Sequence, residues 1–152
     1  VHAMLGKQIR YAFPSTGPIR AGRAEGEVVG GNLSILYSLA GSRSEPDYSG
    51  KLLFIEDVDE YLYHIDRMIV SLKRSGVFSR IAGLIVGGMT RMNDNAVPFG
   101  MNAEEIIAAA AKDFPWPLCF GFPAGHDDPN VALFLGRRAR LTVGATTELA
   151  FL

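Results

Sequence analysis

Two apolar runs, residues 51–55 (KLLFI) and 81–86 (IAGLIV), flank one strongly amphipathic helical segment, and this order most constrains what the chain can fold into. Within the segment Leu62, Ile65, Ile69 and Leu72 recur at spacings of three and four, while His64, Arg67, Ser71 and Arg74 fall opposite. The acidic stretch Glu56-Asp57-Val58-Asp59-Glu60 precedes the helix, Lys73 and Arg74 end it, and Gly76 stops it, as the helix dipole and capping rules favour. A strand, a helix and a second strand in that order read as a parallel crossover.

The flanking sequence extends the pattern. Residues 27–29 form a short extended run closed by Gly30-Gly31. Asn32 then suits an N-cap, because its side-chain oxygen accepts a free amide of the first turn of a helix over 33–40, with Gly41 as its C′ residue. Pro46, Asp47 and Ser49 mark 42–50 as a loop. Asn102 and Glu105 make a capping box for a helix over 103–112, fenced off by Pro115 and Pro117. Residues 118–120, 131–135, 139–143 and 147–152 read as strands. This late run of short strands argues for a mixed or antiparallel sheet added to the parallel part. Residues 1–20 carry Gly6, Pro14, Gly17 and Pro18 among Lys7, Arg10 and Arg20, and read as a linker or a remnant of a preceding segment, with room for one strand over 9–13. The domain is then 21–152, of class α/β.

Composition removes several classes of function. Apolar residues are 48 % and charged residues 20 % of 152, enough for a proper core. Fifteen Lys and Arg against sixteen Asp and Glu leave a net charge of −1, so nothing asks for nucleic acid or an anionic membrane. No apolar run approaches the ~20 residues of a membrane span. One cysteine, Cys119, forbids an internal disulfide and reads as a buried small hydrophobe. With no signal-peptide layout at Val1-His2-Ala3-Met4, a cytoplasmic domain is expected.

Two places could carry chemistry. Glu56 and Asp57 follow directly on an apolar strand, at the edge where open α/β sheets bind ligands, though acids before a helix also serve as plain caps. His126 lies in the loop Gly121-Phe122-Pro123-Ala124-Gly125-His126-Asp127-Asp128-Pro129-Asn130, directly after a strand. Imidazole suits proton transfer near neutrality, and a loop histidine with no task is the plain alternative. Glu56 and His126 together match the orienting acid and the base of a nucleophilic triad. No G-x-S-x-G turn is present, and none of the nine serines falls in a sharp strand-to-helix turn. A metal site on Glu56, Asp57, His126, Asp127 and Asp128 is poor in His and Cys, and no H-E-x-x-H or C-x-x-C occurs. The Gly30-Gly31-Asn32 turn offers amides to an anion, or simply allows tight packing. His64, on a polar helix face, and His2, in the tail, compete poorly with His126.

The same residues resemble a known family, the LD-carboxypeptidases and microcin-immunity peptidases, from about Gly22 to Thr142. The resemblance rests on six blocks in order: Gly22-Arg23-Ala24-Glu25-Gly26, Gly30-Gly31-Asn32-Leu33-Ser34, Pro46-Asp47-Tyr48-Ser49-Gly50-Lys51, Leu53-Phe54-Ile55-Glu56-Asp57-Val58, Ile65-Asp66-Arg67-Met68 and Gly121-Phe122-Pro123-Ala124-Gly125-His126. It implies the family's C-terminal domain, a swivelling β/β/α fold that supplies a catalytic Glu and His, here Glu56 and His126. The nucleophilic serine and the oxyanion hole would come from an N-terminal domain that this chain does not contain. The implied activity is hydrolysis of an L-to-D peptide bond that releases D-alanine from a murein tetrapeptide in cell-wall recycling. No cofactor is implied, and a homodimer is. Two alternatives are hydrolysis of peptidyl or aminoacyl nucleotides, as in the immunity branch, and a non-catalytic binding or dimerisation module.

Overall fold

The computed structural model describes residues 9–152. It has seven strands: β1 (Arg10–Phe13), β2 (Gly22–Asn32), β3 (Leu52–Val58), β4 (Gly83–Thr90), β5 (Leu118–Cys119), β6 (Arg138–Val143) and β7 (Thr147–Phe151). Four helices accompany them: α1 (Leu33–Leu39), α2 (Leu62–Arg74), α3 (Val77–Arg80) and α4 (Ala103–Ala111). All strands belong to one sheet in the order β1-β7-β6-β2-β3-β4-β5. β2, β3, β4 and β5 pair in parallel, and the β1-β7-β6-β2 side is antiparallel throughout. The mixed sheet expected from the sequence is therefore present, with β2 shared by both halves.

The sheet buries its two faces differently. On one face the helices cover β3 and β4: Leu33 and Leu36 of α1, Ile65, Met68, Ile69 and Leu72 of α2, Phe78 of α3 and Ile106 and Ile107 of α4 pack with Leu53, Ile55, Leu84 and Val86. The other face has no helix. There Phe54, Ile85, Leu141, Leu149 and Phe151 form a second core with Phe122, Ala124 and the partly buried Val131, Leu133 and Phe134. Tyr11 and Phe13 of β1 meet the Phe122 ring edge-on at 5.5 and 5.3 Å. β1 ends the strand order on one side and Phe122 follows β5 at the other, so the sheet curls over this second core.

Several local readings hold and three change. Asn32 caps α1 through Ile35 N–H, and Gly41 follows the helix with φ +74°. The Asn102–Glu105 capping box is complete in both directions. β2, however, is eleven residues long rather than a three-residue run closed by glycines, because it pairs with β6 along its first half and β3 along its second. Gly30 and Gly31 are inside it, and a Cβ on Gly30 would strike the Phe54 carbonyl of β3, so close strand approach is what Gly30 permits. Residues 131–135 are not a strand: they cross the second core as irregular chain, Val131 N–H donating to Pro123 O and Gly136 N–H to Val28 O. Val131, Leu133 and Phe134 pack there partly buried, without any ladder, while Leu135 is exposed.

The reading of residues 1–20 falls outside the described residues over 1–8. From residue 9 the chain is held on the domain: after β1, Ser15 Oγ donates to Phe120 O and accepts from Phe120 N–H, and Arg20 exchanges backbone hydrogen bonds with Leu118. Arg20 also donates to the Ala111 and Lys112 carbonyls at the end of α4, which have no further helical turn to satisfy them.

Candidate active site

The third change concerns Glu56, which lies within β3, a strand that runs on to Val58, rather than on a loop beyond its end. The residue is 94 % buried. A register shift between Ile55 and Asp57, where β3 meets β4, occurs at this residue. Glu56 lies near the end of β3, and His126 lies in the loop that follows β5. His126 Nδ1 donates to Glu56 Oε2 at 2.7 Å, joining residues seventy positions apart in sequence. The histidine side chain is about half exposed and its carboxylate partner is buried. That asymmetry suits an acid that orients and a base that meets a substrate. With Nδ1 held by a carboxylate, the neutral ring carries its acceptor on Nε2.

Glycines bring the two residues together. A Cβ on Gly87 of β4 would strike the Ala124 carbonyl and the Phe54 ring, and one on Gly125 would lie 3.2 Å from Glu56 Oε2. Gly88 N–H donates to Ala124 O at 3.0 Å. The loop after β5 therefore lies backbone-on-backbone against the end of β4, which sets His126 above β3. Gly87 and Gly88 lie inside β4, which runs beyond the apolar run 81–86 to Thr90.

Asp57 has a separate task. It is 98 % buried, and it accepts from Asn32 Nδ2 at 2.9 Å and from the Ser34 amide and hydroxyl at 3.0 and 2.8 Å. It thus secures the start of α1, not α2, whose N-cap Tyr61 makes no side-chain capping bond. His64 of α2 pairs at 2.7 Å with Glu60, which lies just before the helix. Asp127 and Asp128 are exposed, and among the described residues no group of three or more His, Cys, Asp or Glu side chains is arranged to hold a metal ion. Gly30 and Gly31, read as an anion cradle or a packing device, form part of the β2–β3 ladder. Among the described residues no helix is long and apolar enough to cross a membrane.

Comparison with known proteins gives this geometry a lineage. Residues 25–141 match the LD-carboxypeptidase C-terminal domain family, which spans both Glu56 and His126. The chain belongs to the LD-carboxypeptidase C-terminal domain family. It is 39 % identical over 132 residues to a probable murein peptide carboxypeptidase of Bacillus subtilis, covering 84 % of this chain and 40 % of that protein. It is 30 % identical over 117 residues to the microcin self-immunity protein MccF of Escherichia coli, covering 76 % of this chain and 33 % of that protein. The crystal structure of a muramoyltetrapeptide carboxypeptidase from Oxalobacter formigenes superposes on it with a TM-score of 0.89 at 27 % identity, over 99 % of this chain and 52 % of that one. The chain thus spans about two fifths of the Bacillus relative and half of the solved enzyme.

Proposed function

We propose that this domain supplies the acid and base of a serine-type LD-carboxypeptidase, releasing the terminal D-alanine of a murein tetrapeptide during cell-wall recycling. The observation that carries this reading is the 2.7 Å bond from His126 Nδ1 to the buried Glu56. The likeness to a probable murein peptide carboxypeptidase of Bacillus and a muramoyltetrapeptide carboxypeptidase of Oxalobacter supports the substrate class.

The nucleophile would come from a preceding domain of the same protein. Ser34 Oγ is engaged with Asp57 and Ser15 Oγ with Phe120, and among the described residues no serine, threonine or cysteine side chain is bonded to His126. In the reaction, the incoming serine Oγ attacks the carbonyl of the L-to-D peptide bond while His126 Nε2 takes its proton. The imidazolium, stabilised by Glu56, then protonates the departing amine of D-alanine. Water, activated by the same ring, hydrolyses the acyl-serine and regenerates the site. No cofactor takes part. The reading includes a cytoplasmic location, where recycled murein peptides are met, and a homodimer.

The likeness to MccF favours a second reading, hydrolysis of peptidyl or aminoacyl nucleotides by the same acid and base. The longer protein should be offered a murein tetrapeptide and an aminoacyl nucleotide in parallel. Release of D-alanine, with the nucleotide conjugate left intact, is expected. Turnover of the conjugate alone would move the protein to the immunity branch, and turnover of neither would leave a binding module.

A further inference from the structure

The backbone of Gly125, the residue before His126, is gripped by one side chain. Asn130 Nδ2 donates to Gly125 O at 2.7 Å, and Gly125 N–H donates back to Asn130 Oδ1 at 3.4 Å. One residue on, Val131 N–H donates to Pro123 O at 2.8 Å, so the loop closes on itself on either side of the histidine. Beneath it, Ala124 O is fixed by Gly88 N–H.

This clamp answers a need of the site. His126 is half exposed, and among the described residues its ring makes one hydrogen bond, to Glu56. A ring so lightly held keeps its place only if its own backbone is fixed. Gly125 has φ +145°, and a Cβ there would lie 3.2 Å from Glu56 Oε2, so the chain passes close to the carboxylate and a small change in its path would carry the imidazole away from Oε2. Only an amide offers a donor and an acceptor side by side, able to meet both the carbonyl and the N–H of one residue; a carboxylate offers acceptors alone.

We propose that Asn130 is a positioning residue for His126: by clamping the Gly125 backbone it holds the imidazole on Glu56 with Nε2 free. The proposal rests on the reading of His126 as the base, since Asn130 acts through that ring and not on substrate.

Two readouts test it. In the 152-residue chain, NMR of the His126 ring should show a protected Nδ1 proton and a single tautomer, while Asn130→Ala, still folding cooperatively, should lose that proton and populate both tautomers. In the longer protein the same change should lower kcat by about 10²-fold, the scale of a misplacement near 1 Å, with KM nearly unchanged. Asn130→Asp keeps the acceptor for Gly125 N–H but not the donor to Gly125 O. It should act in the same direction, and it decides the matter if the alanine variant does not fold. A folded variant with an unaltered Nδ1 proton overturns the proposal, whatever happens to activity. Loss of the proton with kcat preserved upholds the clamp but removes His126 as the base. If neither variant folds, Asn130 holds the domain together rather than the histidine, and the proposal fails.

Discussion

Glu56 and Asp57 are neighbours on β3, yet their carboxylates serve opposite faces of the sheet: Glu56 receives His126 Nδ1 at 2.7 Å, and Asp57 receives the amide and hydroxyl of Ser34 at the start of α1. Alternation along a strand produces this split. Phe54, two residues before Glu56, belongs to the helix-free core, whereas Ile55, two before Asp57, belongs to the core under the helices.

The split gives the two acids different mutational signatures. Asp57→Ala would leave the Asn32 amide and two Ser34 donors without their buried acceptor, a loss on the order of 3 kcal/mol. Glu56→Gln keeps the volume and changes a pair whose partner is half exposed, so stability should stay within about 1 kcal/mol. Urea unfolding of both variants checks this, and equal losses would mean that Glu56 is as structural as Asp57.

Acid stability should depend on Glu25. The Arg140 guanidinium, 2.7 Å away, with Arg138 and Arg23 beside it, holds the Glu25 carboxyl below its ordinary range despite the opposing effect of partial burial. A carboxyl whose folded pKa lies below its unfolded value stabilises the fold wherever the unfolded chain would be ionised, above about pH 4.3, and that contribution is lost as pH falls through the folded pKa. Glu25→Gln should therefore flatten the acid limb of a Tm-against-pH profile below about pH 4.5. A profile parallel to that of the parent chain would show that the cluster makes no pH-dependent contribution.

Cys119 should be inert in the folded chain. Burial pushes its thiol up to about 12, and the thiolate is the reacting species. An aromatic disulfide reagent at pH 8 should find no reactive thiol until denaturant is added, and then one per chain. Rapid labelling of the native protein would mean that β5, the two-residue strand carrying it, opens readily.

Legibility in the sequence followed the range of the interactions. α2 and the caps at Asn32 and Asn102 depend on residues three or four positions apart, so their signals are complete within a short window. β2 was visible only over 27–29, because Gly22, Gly26, Gly30 and Gly31 look like turn residues until β3 and β6 pair with them from afar. The opposite error arose at 131–135, where Val131, Leu133 and Phe134 look like a strand but satisfy burial by packing under the curled sheet. Glu56 and His126 were legible as candidates by residue type and by resemblance. Their pairing followed from the triad reading, but the geometry that allows it did not: it depends on Cβ-free backbone at Gly87 and Gly125 and on a register shift where two residues of β4, Gly87 and Gly88, face Glu56 alone on β3.

The proposed roles of Glu56 and His126 also set an expectation for the chain by itself. With no serine bonded to His126 among the described residues, the purified 152-residue chain should fold cooperatively and release no D-alanine from a murein tetrapeptide. Measurable release would place a nucleophile within this chain.

The most direct measurement is steady-state hydrolysis of a murein tetrapeptide by the longer protein carrying His126→Ala or Glu56→Gln, with thermal unfolding run alongside. Because triad members act as a unit, His126→Ala should lower kcat by several powers of ten. Glu56→Gln, which removes the charge favouring the imidazolium, should cost on the order of 10⁴. KM should change far less than kcat, and both variants should unfold near the parent temperature. A folded His126→Ala protein with near-normal kcat would contradict the role of His126 as the base.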